Sequence, residues 1–232
     1  MDQNPALYTS LKDQLVPSME YKFTWTSPKV KRNINNLSLS TKQSYKFQKN
    51  TIEYTHCLRL GERSRLLTHG YLGFLWEYNG QSAPYQEMFT AGGANSIRAF
   101  GVRGIGPGSY NPVQSQFSYL NQVGSMKFEC NMEYRFPIIS SLYGAVFVDA
   151  GNVWLMREDP DRPGGKFEWR NFGRELALGT GAGLRYDLDF LVIRFDIGVG
   201  IHAPYDTGKE GYYNMPSFGK SLGYHFAIGY PF

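Results

Sequence analysis

Cysteine, histidine and long apolar runs are scarce in this chain of 232 residues. It has two cysteines, Cys57 and Cys130, far apart and without metal or redox spacing. They read as two unpaired thiols. With four histidines in all, the chain has no H-E-x-x-H pair, and no G-x-S-x-G elbow is present either. The sequence calls for no metal and no cofactor. No apolar run approaches the ~20 residues that a membrane-spanning helix needs. The formal net charge is only +4, with no basic block, so nucleic acid is not expected as a partner. The opening "MDQNPALYTSLKDQ" has no basic segment followed by an apolar core, so a signal peptide is not expected.

Glycine and aromatics are plentiful. There are 26 glycines, 17 tyrosines and 16 phenylalanines, at a mean hydropathy of -0.39. That profile fits a β protein, including a membrane barrel. Barrel strands alternate lipid-facing apolar residues with polar inward ones, which hides their hydrophobicity from an average.

The alternation is explicit in the C-terminal half. In "KFECNMEYRF", Phe128, Cys130, Met132, Tyr134 and Phe136 alternate with Glu129, Asn131, Glu133 and Arg135. In "LALGTGAGLRYD", Leu178, Thr180, Ala182, Leu184 and Tyr186 alternate with Gly179, Gly181, Gly183, Arg185 and Asp187. "VIRFDIGVGI" and "LGYHFAIGYPF" do the same, the latter carrying Tyr224, Phe226, Ile228, Tyr230 and Phe232 on its apolar face. Period two excludes amphipathic helices. These runs reach ten residues or more, as tilted membrane strands do, whereas soluble sandwich strands average ~5–6. Aromatics at strand ends, Trp154, Tyr186 and Tyr230, also favour lipid over a soluble sandwich.

Nine strands are expected, near 19–26, 33–42, 45–60, 64–78, 123–136, 142–155, 175–187, 190–202 and 219–232. Residues 1–18 read as a loop with a short helical turn. "GERS", "PIISS" and "DLDF" are tight turns, whereas 79–122, 156–174 and 203–218 are long. Short turns on one rim and long loops on the other is the outer-membrane arrangement. Nine is an odd number, and an open edge in lipid leaves backbone groups unpaired. The fold expected is therefore all-β: one domain over 1–232, about nine antiparallel strands forming the C-terminal part of a larger transmembrane β-barrel.

"GGANSIRAFGVRGIGPG", residues 92–108, imitates a phosphate loop but lacks the Lys-Ser/Thr of a Walker motif. "GTGAG" at 179–183 lies inside a period-two segment rather than opening a helix. Instead, "FTAGGANSIRAFGVRGIGPGSY" resembles the sixth extracellular loop of the BamA/TamA superfamily, the bacterial surface antigen barrels. The matching residues are Phe89, Gly92, Gly93, Ser96, Ile97, Arg98, Phe100, Gly106 and Pro107, while Ala99 stands where the family has glycine. "FVDAGNVW" at 147–154 and the terminal "AIGYPF" resemble the family's later strands. The "IRAF" form is similar to the TamA-like branch.

The resemblance implies a barrel of sixteen strands when complete, in the bacterial outer membrane, with a lumen-docked loop within 79–122. It implies a non-enzymatic role in assembling or translocating outer-membrane polypeptides, by strand augmentation at a lateral seam. Its partners would be the lipid bilayer, nascent outer-membrane polypeptides, and lipoprotein or inner-membrane subunits. It also implies that Glu133 and Asp149 clamp Arg98. From the residues themselves, a desolvated arginine needs compensation, and Glu129, Glu133 and Asp149 all face inward by alternation. The alternative for these acids is a plain polar lining of a wet pore. A passive porin or receptor barrel remains open, as does a hydrolase built on Ser221 and His225.

Overall fold

A computed structural model describes residues 16–28, 32–78, 80–111 and 120–232. The short helical turn expected within 1–18, at 5–15, lies outside the described residues. The described part is one antiparallel sheet in which every strand pairs with its neighbour in sequence. The strands are β1 (Ser18–Thr26), β2 (Asn33–Ser44), β3 (Phe47–Arg59), β4 (Arg65–Glu77), β5 (Met126–Ile139), β6 (Leu142–Trp154), β7 (Ala177–Asp187), β8 (Val192–His202) and β9 (Leu222–Ile228). The sheet is open, with β1 and β9 at its two edges.

Alternation sorts the two faces. On one face Met132, Val146, Val148, Leu184, Ile197 and Phe226 are exposed. On the other, Glu129, Glu133, Asp149, Arg185 and Asp196 are buried. A charged face that is buried and an apolar face that is bare is the inverse of a soluble sheet, and it is the pattern of a wall whose outer solvent is lipid. We call these the inner and outer faces.

On one rim the connections are brief. Ser140 joins β5 to β6 with a φ of 45°, and Asp189 lies between β7 and β8 with a φ of 66°. The Asp187 carboxylate accepts from the Asp189 amide at 3.0 Å, holding that turn. The other rim carries the three long loops, 78–125, 155–176 and 203–221, and one tight turn at Tyr45–Lys46.

Three details differ from the sequence expectation. The last strand is shorter than 219–232: residues 219–221 form a 3-10 turn, and pairing stops at Ile228. Gly229 then adopts a φ of 87°, which favours glycine and turns the chain off the sheet. Tyr224, Phe226 and Ile228 are exposed on the outer face as expected, but Phe232 is not. Its ring stacks on His69 of β4, an inner-face residue, at 5.1 Å and 8°. Tyr230 lies between these fates. Its ring takes the Arg135 guanidinium at 4.1 Å, and its hydroxyl donates to Asp187 at 3.3 Å. Trp154, expected as a bare strand-end aromatic, is buried under residues 167–172 of the loop that follows it.

Candidate functional site: a loop docked on the inner face

The long β4–β5 loop folds back over the inner face. Its entry is fastened first. Phe89 bridges to Gly124 through paired backbone hydrogen bonds of 2.8 and 2.9 Å. The Phe89 ring lies over Gly73 of β4, where a methyl group would collide with it. Glu87 is held by Lys42 of β2 and, at 3.3 Å, by Lys49 of β3. Burial pushes the Glu87 carboxyl up, but the hydrogen bond from Lys42 and the charges of both lysines outweigh it. The group is held below the usual carboxylate range.

Gly92 and Gly93, at φ of 97° and 99°, then turn the chain into a tight structure. Its tip lies on the sheet. The Ser96 hydroxyl accepts from the Gly92 amide at 3.0 Å and donates to Glu129 Oε2 of β5 at 2.8 Å. Ile97 is fully buried, against Gly151 of β6. Phe100 is buried as well.

Arg98 is the centre. Its Nε and backbone amide donate to Asp149 Oδ2 at 2.8 and 3.0 Å, and its Nη2 donates to Oδ1 at 2.8 Å. This is the two-pronged fit of a guanidinium to a carboxylate. The Nη1 donates to Glu133. The guanidinium carbon lies 3.5 Å from the centroid of the Phe147 ring on β6. Burial works against the charged arginine, yet Asp149 and Glu133 hold its pKa above the ordinary value. Around it, Arg185 bridges Glu133 (3.0 Å) and Asp196 (2.5 Å), and Arg135 binds Glu133 from its own strand. Asn131 donates to both Asp149 and the Ser96 carbonyl, at 3.0 and 2.9 Å. Arg194 of β8 donates to the Ala94 carbonyl at 2.8 Å and to the Asn95 side chain.

Register explains why the loop fits. One cross-strand row reads Glu133, Phe147, Gly181, Gly198 and Gly223 from β5 to β9. The Phe147 ring fills the space over Gly181, and the loop backbone fills the space over the next two. A methyl at Gly198 would meet the Arg98 carbonyl, and one at Gly223 would lie 2.8 Å from it. His225 completes this contact, with Nε2 at 2.8 Å from the same carbonyl.

Of the inward glycines Gly179, Gly181 and Gly183 of β7, only Gly179 meets the loop, against the Ala99 methyl. Gly181 makes room for Phe147, and Gly183 for Asp196 and Arg185. The departure at Ala99 thus has a physical account: the missing glycine is supplied by the strand beneath. Gly106 (φ 84°) sits against Asn152 and Val153, and Pro107 packs on Gly165. Sequence reasoning missed Phe147, Arg185, Arg194 and Asp196 as members of the site. Their inward parity was visible, but their convergence depends on strand register.

The residues considered for hydrolysis are otherwise engaged. Ser221 is buried and its hydroxyl donates to the Phe218 carbonyl at 2.6 Å. His225 serves the loop.

Residues 21–232 match the Omp85 superfamily domain. The fold is similar to that of BamA from Haemophilus ducreyi, in a structure lacking POTRA domains 1–3. That match has a TM-score of 0.60 at 18% identity, over 90% of this chain and 42% of that one. A weaker similarity is to CdiB from Acinetobacter baumannii, with a TM-score of 0.39 at 14% identity, over 91% of this chain and 41% of that one. The chain therefore spans less than half the length of either structure. The nine strands of the described residues correspond to part of a BamA-type barrel, and the chain belongs to the Omp85 superfamily.

Proposed function

We propose that the chain forms the loop-bearing wall of a bacterial outer-membrane barrel that assembles or translocates other polypeptides. It would act without making or breaking covalent bonds. The observation that carries this reading is the Arg98 tip, held by charges on β5 and β6 and seated on glycines of β7, β8 and β9. A barrel interior can be an open channel or can hold a loop; here a loop covers the inner face and reaches β9, its Arg98 carbonyl lying 2.8 Å from His225 Nε2, which ties it to the edge strand. That edge, β9, offers unpaired backbone groups as a template for an incoming strand. The clamp formed by Glu133 and Asp149, with Glu129 on Ser96, would set the shape of the wall that presents this edge. The "IRAF" sequence supports placing the chain in the TamA-like branch.

The test is client folding in vesicles. The protein in its full natural length is reconstituted, and an unfolded outer-membrane barrel is added. Protease-resistant client should accumulate faster than in protein-free vesicles, and Arg98→Ala should remove most of that gain. Equal rates with and without the protein would overturn the reading. A solute flux unaffected by Arg98→Ala, with no effect on clients, would favour the porin instead.

A further inference from the structure

The β6–β7 loop does something the docked loop does not: part of it returns along the outer face. By parity Phe128 of β5 and Trp154 of β6 point outward. Neither is bare, because Phe172 packs on Phe128 at 5.4 Å and on Trp154 at 5.7 Å, and Phe167 meets Trp154 edge-on at 5.5 Å. The Trp154 indole N–H donates to Glu175 Oε2 at 2.6 Å, which fixes the ring at the loop's far end. The backbone is tied to the rim where Phe167 donates to the Leu155 carbonyl at 2.9 Å. On top of this cluster sits Trp169, in contact with both Phe167 and Phe172 (5.3 and 5.8 Å) yet 79% exposed. Lys166, Arg170 and Arg174 are exposed around it, while the nearby Glu168 carboxylate accepts from Asn171 at 3.0 Å.

The height of this cluster can be worked out from the strands. Phe136 pairs with Gly144 near the turn rim, and Met126 pairs with Trp154 at the loop rim. These two rows are ten residues apart, or ~34 Å along a strand. At a tilt of ~40° that is ~26 Å along the barrel axis, close to the ~25 Å apolar band of such barrels. The Phe136 row carries the Tyr134–Phe136 stack. The Trp154 row sits level with Phe74 and close to Trp76, which is exposed on the same face. The two rows therefore mark the two edges of the band, and Trp169 lies at the loop-side edge. Amphipathic rings favour that level, and arginine forks suit phosphate.

We propose that residues 166–174 seat in the headgroup layer of the membrane, with Trp169 inserted at the interface and Lys166, Arg170 and Arg174 bound to lipid phosphates. The occupant is a phosphate-bearing lipid surface, continuous with the lipid around the outer face. This rests on the barrel reading above.

The experiment uses the protein reconstituted in vesicles of phosphatidylcholine, with or without phosphatidylglycerol. The Trp169 signal is taken as the difference between the native protein and Trp169→Phe. Lipids brominated near the headgroup end of the acyl chain should quench it at least twofold more than lipids brominated near the chain terminus, and aqueous acrylamide should quench it weakly. Phosphatidylglycerol should shift its emission to the blue, and the combined Lys166→Gln, Arg170→Gln and Arg174→Gln variant should abolish that shift. Strong acrylamide quenching without lipid quenching overturns the inference. So does shielding from both, which means a protein partner covers the ring. A shift that is independent of lipid charge overturns the phosphate contact. Val148→Trp in the Trp169→Phe background separates the two readings. If Val148→Trp is quenched by deep bromines and Trp169 is not, the loop inference fails alone; if neither is quenched, the barrel reading fails first.

Discussion

Arg98 is a buried cation whose removal would strand two buried acids. Asp149 loses three hydrogen bonds in Arg98→Ala if the loop leaves, and Glu133 keeps only Arg135 and Arg185. Breaking such a pair from one side costs about 3–5 kcal/mol. Equilibrium urea unfolding in vesicles should show a loss of that order for Arg98→Ala. Arg98→Lys should recover part of it, because lysine keeps the charge but cannot span both Asp149 oxygens as a fork. Gly198→Val tests the other half of the contact. Its side chain would occupy the place of the Arg98 carbonyl, so limited proteolysis should cut within 92–108 in the variant and spare the native protein. The pairing of Arg98 with Glu133 and Asp149 was expected from the resemblance of the loop motif, and the residues themselves gave only the inward side. Parity placed Glu129, Glu133 and Asp149 inside, and an arginine amid loop glycines asked for acids. Phe147 has the same parity as Asp149, two residues away. Its role was hidden because a ring under a guanidinium is set by the loop's position, which period-two alternation does not encode.

Among the elements, β9 shows where pattern reading stops. Apolar and small residues keep alternating through Tyr230 and Phe232, and the pattern alone extends the strand to the end. The backbone leaves at Gly229, whose φ of 87° no alternation reveals. Gly229→Val would be strained there, and the tail should extend along the sheet instead. A fluorine label on the Phe232 ring should then lose the ring-current shift caused by His69 stacking. An unchanged shift would show that the tail is held by Phe232 itself and not by the turn. The β4–β5 loop has a second fastening, at Glu87, that depends on pH. Glu87 is held below its ordinary value of 4.5, so the folded state favours its charged form. Its contribution is complete at neutral pH, above the unfolded value, and is lost as pH falls through the lower folded value. Amide exchange at 85–89 should therefore speed up, relative to the intrinsic rate, only in strongly acidic solution, and Glu87→Gln should remove that pH dependence. The loop's approximate span was readable from its length and motif. Its anchors on Lys42 and Lys49 were not, because they lie on strands far away in sequence.

At the scale of the molecule, a sheet with charge buried inside and apolar side chains bare outside needs two things. It needs lipid against one face and filling against the other. The loop supplies the filling over β5 to β9. Among the described residues no strand pairs with the outer edge of β1 or of β9, and unpaired backbone groups in lipid cost several kcal/mol each. The 232-residue chain alone in lipid should therefore associate through those edges, and cysteine crosslinking along β9 should yield oligomers. A stable lone monomer would contradict this. The nine strands of the described residues were legible from alternation, and pairing across the short turns followed from it; pairing across the three long loops was implied by the barrel resemblance. The closeness of Phe232 to His69, five strands apart, was not. The Arg98–Asp149 contact is what holds the docked loop, and a double-mutant cycle measures it directly. Unfolding free energies of the native protein, Arg98→Ala, Asp149→Ala and the double variant, in one lipid, should give a coupling of about 1.5–3 kcal/mol. A coupling below about 0.5 kcal/mol would mean that the two residues act independently, and the docked loop would not be held as described.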